Sequence, residues 1–199
     1  LEITTEMVKA LREATGAGVL DCRKALEACG GDFESAVVRL REQGLAEAAR
    51  RVDRKASEGR VEAYVHPGNR VAVMLELNCE TDFVARTPDF QELAHDLALH
   101  IAFAAPRYIT REEVPPEVIE RERAIYRAEA LGEGKPEKVV ERIVDGRMEK
   151  FYQQTCLMEQ PFVKDEGRTV RDIISDVAAR LGENIVLRRF VRYKLGEES

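Results

Sequence analysis

Apolar residues recur every three to four positions over most of this chain and alternate with polar ones only in a few short stretches, which predicts helices around a small sheet. From Thr4 to Gly44 the apolar positions fall into three short helical groups. Thr4 or Thr5 caps the first, Gly16-Ala17-Gly18 supplies a tight loop, and Leu20 to Cys29 forms the second. Gly30-Gly31-Asp32 breaks and recaps before the third, Phe33 to Gln43, where Phe33, Val37 and Leu40 share a face and predict an inward stripe. Beyond a charged connector, Val61 to Val65 and Val71 to Leu77 read as strands joined in a hairpin by Pro67-Gly68-Asn69. Thr87-Pro88-Asp89 then opens a helix, with a capping hydroxyl and proline in the first turn. Its apolar positions Phe90, Leu93, Ala94, Leu97, Ala98, Ile101 and Ala102 follow the i, i+3, i+4, i+7 rule, so this helix should cover one face of the sheet.

From about residue 116 to 158 charged residues dominate. The apolar stripe narrows to Val118 and Ile125 on one side of Gly132-Glu133-Gly134-Lys135-Pro136 and to Val140, Ile143, Val144 and Phe151 on the other. Two helices packed back to back as an antiparallel hairpin fit this, with two ordinary surface helices as the alternative. Thr169 caps a further helix ending at Gly182, and Asn184 to Leu195 alternates as a strand. Ile185, Leu187, Val191, Tyr193 and Leu195 should line one face, Val186, Arg188, Phe190, Arg192 and Lys194 the other. The expected fold is α+β: an N-terminal three-helix module over residues 1–52, then a core over 53–199 with a small, antiparallel sheet, helices packed on it, and the helical hairpin.

Composition narrows the function classes. The 199 residues are 44% hydrophobic, enough for a buried core. A net charge of −6 argues against electrostatically driven nucleic-acid binding, which needs surplus Lys and Arg to displace counterions, so Arg50-Arg51-Val52-Asp53-Arg54-Lys55 reads as a solvated linker face. No window approaches the ~20 apolar residues of a membrane span, and the start lacks the layout of a secretory signal; a soluble intracellular protein is expected. Cys22, Cys29, Cys79 and Cys156 form no C-x-x-C pair, and the three histidines form no cluster, so neither a metal site nor a cofactor is expected. Gly132-Glu133-Gly134-Lys135-Pro136 has proline where a phosphate-binding loop needs a hydroxyl, so the chain should not bind nucleotide by itself.

Chemistry concentrates at Glu76-Leu77-Asn78-Cys79-Glu80-Thr81-Asp82-Phe83-Val84-Ala85-Arg86, where a strand-like run ends in a polar knot carrying a phenylalanine beside an aspartate. One reading folds Phe83 back as a core plug with Asp82 capping a turn. The other presents the charge and the ring together to a partner.

This stretch resembles the second signature of the elongation factor Ts family, the nucleotide-exchange factors of elongation factor Tu. Leu11-Arg12-Glu13-Ala14-Thr15-Gly16-Ala17-Gly18-Val19-Leu20-Asp21-Cys22-Arg23-Lys24-Ala25-Leu26 resembles the first signature, in the family's order and at a plausible separation. The resemblance runs from about residue 3 to the final strand and is loosest between Arg111 and Lys164. Val19-Leu20 stand where the family commonly has two methionines, and Arg23 replaces a frequent lysine. The resemblance implies a ubiquitin-associated-like N-terminal module, elongation factor Tu as partner, a bacterial cytoplasmic location, and exchange without covalent chemistry. It further implies that Thr81, Asp82, Phe83 and Val84 approach the partner's Mg²⁺ region, and that Arg12, Val19, Leu20 and Asn78 contact the partner. Of Val19 and Leu20, at least one is expected to face the bundle core. Because longer members carry a duplicated core and this chain has room for one small sheet, a homodimer giving a two-to-two complex is expected, with the final strand pairing or packing across a two-fold axis. Two other classes compete: an adaptor using the helical module alone, for which an inert signature segment would speak, and an enzyme with Glu80 and Asp82 as an acid/base pair.

Overall fold

Two of the N-terminal helices open on a side chain that accepts from their first turn. The computed structural model describes residues 3–197, and its first helix, α1 (Thr5–Thr15), opens where the Thr4 hydroxyl accepts from Met7 N–H at 3.3 Å and closes at Gly16 in the left-handed region. Helix α2 spans Val19–Ala28, and α3 (Phe33–Arg50) starts where Asp32 accepts from Ser35 N–H at 2.8 Å. The Ser35 side chain first, and then this backbone bond, hold the Asp32 carboxyl below its ordinary value. The three helices enclose Val8, Leu11, Cys22, Ala25, Leu26, Ala36 and Leu40. Burying each large aliphatic side chain here stabilises by ~1.5–3 kcal/mol.

Two details differ from the sequence reading. Phe33 is exposed at the first turn of α3, and the inward positions are Ala36 and Leu40 with Val37 half-buried. The helix also runs through Gly44 to Arg50, and this glycine serves as a packing notch: a Cβ there would lie 3.1 Å from the Cβ of Ala179.

The sheet has strand order β1-β2-β5, from β1 (Glu58–Val65), β2 (Val71–Cys79) and β5 (Val186–Lys194). His66 N–H donates to the Val71 carbonyl at 2.9 Å across the β1–β2 turn, where Gly68 and Asn69 take positive φ. Leu195 N–H donates to the Arg70 carbonyl at 2.9 Å, so the end of β5 meets the start of β2 and this pair too is antiparallel. Gly59, at φ 142°, is required by close approach: a Cβ would lie 2.1 Å from the Leu77 carbonyl oxygen. Between β2 and β5 lie α4 (Asp82–Ala85), α5 (Pro88–Ala104), α6 (Pro116–Gly132), α7 (Glu137–Thr155), the short strands β3 (Pro161–Phe162) and β4 (Asp165–Thr169), and α8 (Val170–Leu181). Val73, Leu75 and Leu77 of β2 are buried, as are all seven predicted apolar positions of α5.

Strand β5 departs from strict alternation. Ile185 and Leu187 are buried, then Arg188 and Arg189 are both exposed, and Phe190 and Arg192 become the sheltered positions. Val191, Tyr193 and Leu195, expected on the face with Leu187, are therefore exposed.

The chain divides into two compact units. One comprises the residues up to 61 with 76–94 and 172–188, the other 62–75, 95–171 and the residues from 189 on. In the second, α6 and α7 pack as an antiparallel hairpin around Val114, Ala130, Val140, Val144, Met148, Phe151 and Cys156. Ile125, expected in the stripe, is exposed. Arg123 pairs with Glu141 and Asp145 at 3.4 and 2.9 Å, and Arg147 with Glu129 and Glu133 at 2.6 and 2.7 Å. Such exposed pairs are individually weak, but linking both helices they favour the antiparallel register. In the same unit buried His100 accepts at Nδ1 from Val163 N–H (3.2 Å), so Nε2–H donates to Gln160 Oε1 (3.0 Å). Burial lowers the His100 pKa and keeps the ring neutral.

Candidate functional site

The strand β2 ends in three buried residues, Leu77, Asn78 and Cys79, and the chain then emerges as a single helical turn, α4. Thr81 caps that turn: its hydroxyl accepts from Val84 N–H at 3.4 Å. Ala85 is buried and anchors the turn from below, while Thr87 Oγ1 donates to the Val84 carbonyl at 2.8 Å and accepts from Phe90 N–H at 3.3 Å to start α5. With both ends of the turn held, the residue between them is aimed outward. Phe83 is 78% exposed. The core-plug reading is thereby excluded, since a plug loses its water contact.

Polar groups around the turn have separate partners. Asp82 pairs with Arg86 at 2.8 Å across α4. The Glu80 carboxylate accepts from Asn184 N–H at 2.8 Å and lies 3.5 Å from Arg54. Glu80 and Asp82 thus engage different groups and do not converge on a shared proton. Asn184 also donates to the carbonyls of Val52 and Arg54 at 3.0 and 2.8 Å. The connector read as a solvated linker face is accordingly a turn tied to this loop, although it carries four basic side chains. The Cys79 thiol donates to the Thr81 carbonyl at 3.1 Å; burial foremost, then the Glu183 carboxylate, pushes its pKa up to about 11.

The remaining expected contacts divide. Arg12 is exposed on α1, and Val19 and Leu20, at 53% and 71% exposure, begin α2 on its outer side. Neither faces the bundle core: Cys22, Ala25 and Leu26 fill that role at the inward spacing, so the first turn of α2 is free. Asn78 is 7% exposed and donates to the Glu58 carbonyl at 3.1 Å, so it braces β1 against β2 below the surface. Gly16, between Arg12 and Val19, leaves room for Arg180: a Cβ on it would lie 3.0 Å from Arg180 Cγ, and Arg180 pairs with Asp89 at 3.2 Å.

In the chain Glu183 reads only as the residue after a helix stop and Asn184 as the start of the final strand, with no local signal of their role at this loop. Both lie about a hundred residues from the loop they hold, beyond the reach of local patterning. Among the described residues no three His, Cys, Asp or Glu side chains gather as a metal-holding group, and no helix is long and apolar enough to cross a membrane.

Comparison with known proteins shows the family. The family model described as Elongation factor TS matches residues 27–197. The Elongation factor Ts of Moorella thermoacetica is 60% identical over 190 residues, covering 96% of this chain and 94% of that protein. That of Carboxydothermus hydrogenoformans is 56% identical over 195 residues, covering 98% and 90%, and that of a Thermoanaerobacter species 53% over 195, covering 98% and 96%.

Proposed function

This chain belongs to the elongation factor Ts family, a family of protein biosynthesis, and we propose that it acts in the bacterial cytoplasm on elongation factor Tu, releasing bound GDP and holding the nucleotide-free form until GTP binds. The observation that carries the reading is the outward-aimed Phe83 on a turn capped by Thr81.

A GDP site built from Mg²⁺, phosphates and backbone N–H groups is tight because each part supports the others. A protein that loosens it needs no covalent step. It binds the nucleotide-free partner more tightly than the GDP-bound one, and linkage then weakens GDP by the same factor. A thousandfold weakening requires about 4 kcal/mol of differential binding. In this reading the Phe83 ring inserts between partner side chains near the ion, Asp82 disturbs the groups that order its hydration, and Thr81 and Val84 form the flanks of the wedge. Residues 1–52, a ubiquitin-associated-like module, dock through Arg12, Val19 and Leu20; residues 53–199 form the exchange core, with Asn78 supporting it from beneath.

A homodimer completes the proposal. On one face of the sheet the second unit leaves Val65, Met74, Val191 and Tyr193 exposed together: Val65 and Met74 lie on strands joined by the hairpin, and the register set by Leu195 and Arg70 puts Val191 opposite Met74. Apolar residues clustered on an uncovered face favour self-association, and a second copy related by a two-fold axis would cover them and give a two-to-two complex.

Release of a fluorescent GDP analogue from purified elongation factor Tu tests the exchange reading. Substoichiometric protein should accelerate release with turnover, and calorimetry on the protein alone should register no micromolar GDP binding. Unchanged release at excess protein would overturn it.

A further inference from the structure

Resting on the exchange reading above, we propose that Glu183 is a positioning residue for the reaction: it fixes the turn that presents Asp82 and Phe83 although it lies on the far side of the sequence. Helix α8 ends at Gly182, whose φ of 74° and N–H bond to the Ala178 carbonyl (2.9 Å) turn the chain out of the helix. The next residue, Glu183, directs its carboxylate at the signature loop. Oε2 accepts from Glu80 N–H and Thr81 N–H, both at 3.0 Å, and Oε1 accepts from the Thr81 hydroxyl at 2.6 Å.

These three bonds do two things. Two consecutive backbone N–H groups converging on one carboxylate oxygen fix the path of the chain as it leaves β2, and bonds to a charged acceptor are the stronger kind. The third fixes a direction. Because the Thr81 hydroxyl donates its proton to Glu183, its lone pairs remain for Val84 N–H, the capping bond that starts α4. Glu183 therefore orients the cap, the cap begins the turn, and the turn aims Phe83. Asn184 reinforces the same grip, since its N–H holds the Glu80 side chain while its amide holds the 52–54 connector. Without Glu183 the turn keeps only its far-end anchors, buried Ala85 and the Thr87 bonds, and the aim of the exposed ring loosens; the cost should fall on the release step rather than on docking, because Arg12, Val19 and Leu20 are not touched.

The test is nucleotide-release kinetics on elongation factor Tu loaded with a fluorescent GDP analogue, using the full-length protein and Glu183→Ala, with the maximal rate and half-saturating concentration determined separately. Glu183→Ala should lower the maximal rate about tenfold, as misorientation by a fraction of an ångström to an ångström does, and shift half-saturation by less than about threefold. Thr81→Val, which keeps the side-chain shape and removes the hydroxyl, should fall in the same class, Thr81→Ser should restore the rate, and the Glu183→Ala/Thr81→Val double variant should be little worse than the poorer single one. If Glu183→Ala does not fold, as a thermal melt would reveal, the Thr81 pair decides alone. A wild-type maximal rate in Glu183→Ala, a loss confined to half-saturation, or Thr81→Val and Thr81→Ser behaving alike would overturn the inference. Failure of the unaltered protein to release nucleotide would instead overturn the exchange reading, and this inference with it.

Discussion

Asp82 and Arg86 close an ion pair at 2.8 Å across the single turn of α4, with the arginine side chain largely in solvent and the aspartate about half so. Exposed i, i+4 pairs contribute about 0.3–0.5 kcal/mol, so a partner can draw Asp82 away at little cost. Arg86→Ala is expected to leave stability within about 0.5 kcal/mol of the parent, while Asp82→Ala slows exchange modestly. Urea melts and nucleotide-release assays on both variants check this; equal slowing by Arg86→Ala would show that the pair acts as one unit.

Truncating Phe83 should separate function from folding. A ring that is already mostly hydrated gives up little burial when removed, so Phe83→Ala should melt near the parent temperature. Loss of an interface aromatic costs ~2 kcal/mol where it is a hot spot, tens-fold in release rate. A thermal melt and an exchange assay on one sample decide it, and normal exchange would count against the wedge.

Self-association should depend on the exposed face of the sheet. Light scattering is expected to give a dimer at working concentration, and Met74→Glu or Tyr193→Asp should shift it to monomer by placing a charge among apolar side chains. A monomer in the unaltered protein, free and with its partner, would remove the two-to-two assembly.

Acid sensitivity should trace first to His100. Its folded-state pKa lies below the ordinary 6.5 because burial disfavours the imidazolium, so the unfolded chain takes up a proton that the folded chain refuses. Its contribution is complete above pH 6.5 and is lost as pH falls below it. The lowered carboxyls of Asp32, Glu112, Glu133 and Glu149 start from 3.8 or 4.5, and their losses come at lower pH. Urea midpoints should therefore fall between about pH 6.5 and 5 in the parent, and less steeply in His100→Gln. Parallel slopes in the two proteins would rule His100 out.

Thiol reactivity should follow burial. With its pKa pushed from 9.0 to about 11, Cys79 carries roughly a hundredfold less thiolate than an ordinary cysteine at the same pH. Native alkylation followed by mass spectrometry should mark half-buried Cys29 first and leave buried Cys22, Cys79 and Cys156 until the chain unfolds. Early labelling of Cys79 would mean that the loop above it opens easily.

The helices and the hairpin were open to reading in the chain because their causes are local. Thr4 and Asp32 are capping residues, Gly68-Asn69 is a turn, and the α5 stripe repeats at the helical period, so each states its structure within a few residues. Tertiary structure decided what distant segments impose. Gly44 lies inside α3 with Ala179 close against it, and the sheltered face of β5 changes at Arg188-Arg189, where no residue type announces it. Whether Phe83 faced the core or the solvent depended on buried Ala85 beneath the turn and on Glu183, about a hundred residues away, holding its cap. A hydrogen bond across that separation leaves no periodicity in the sequence, because the folded chain alone brings its two ends together.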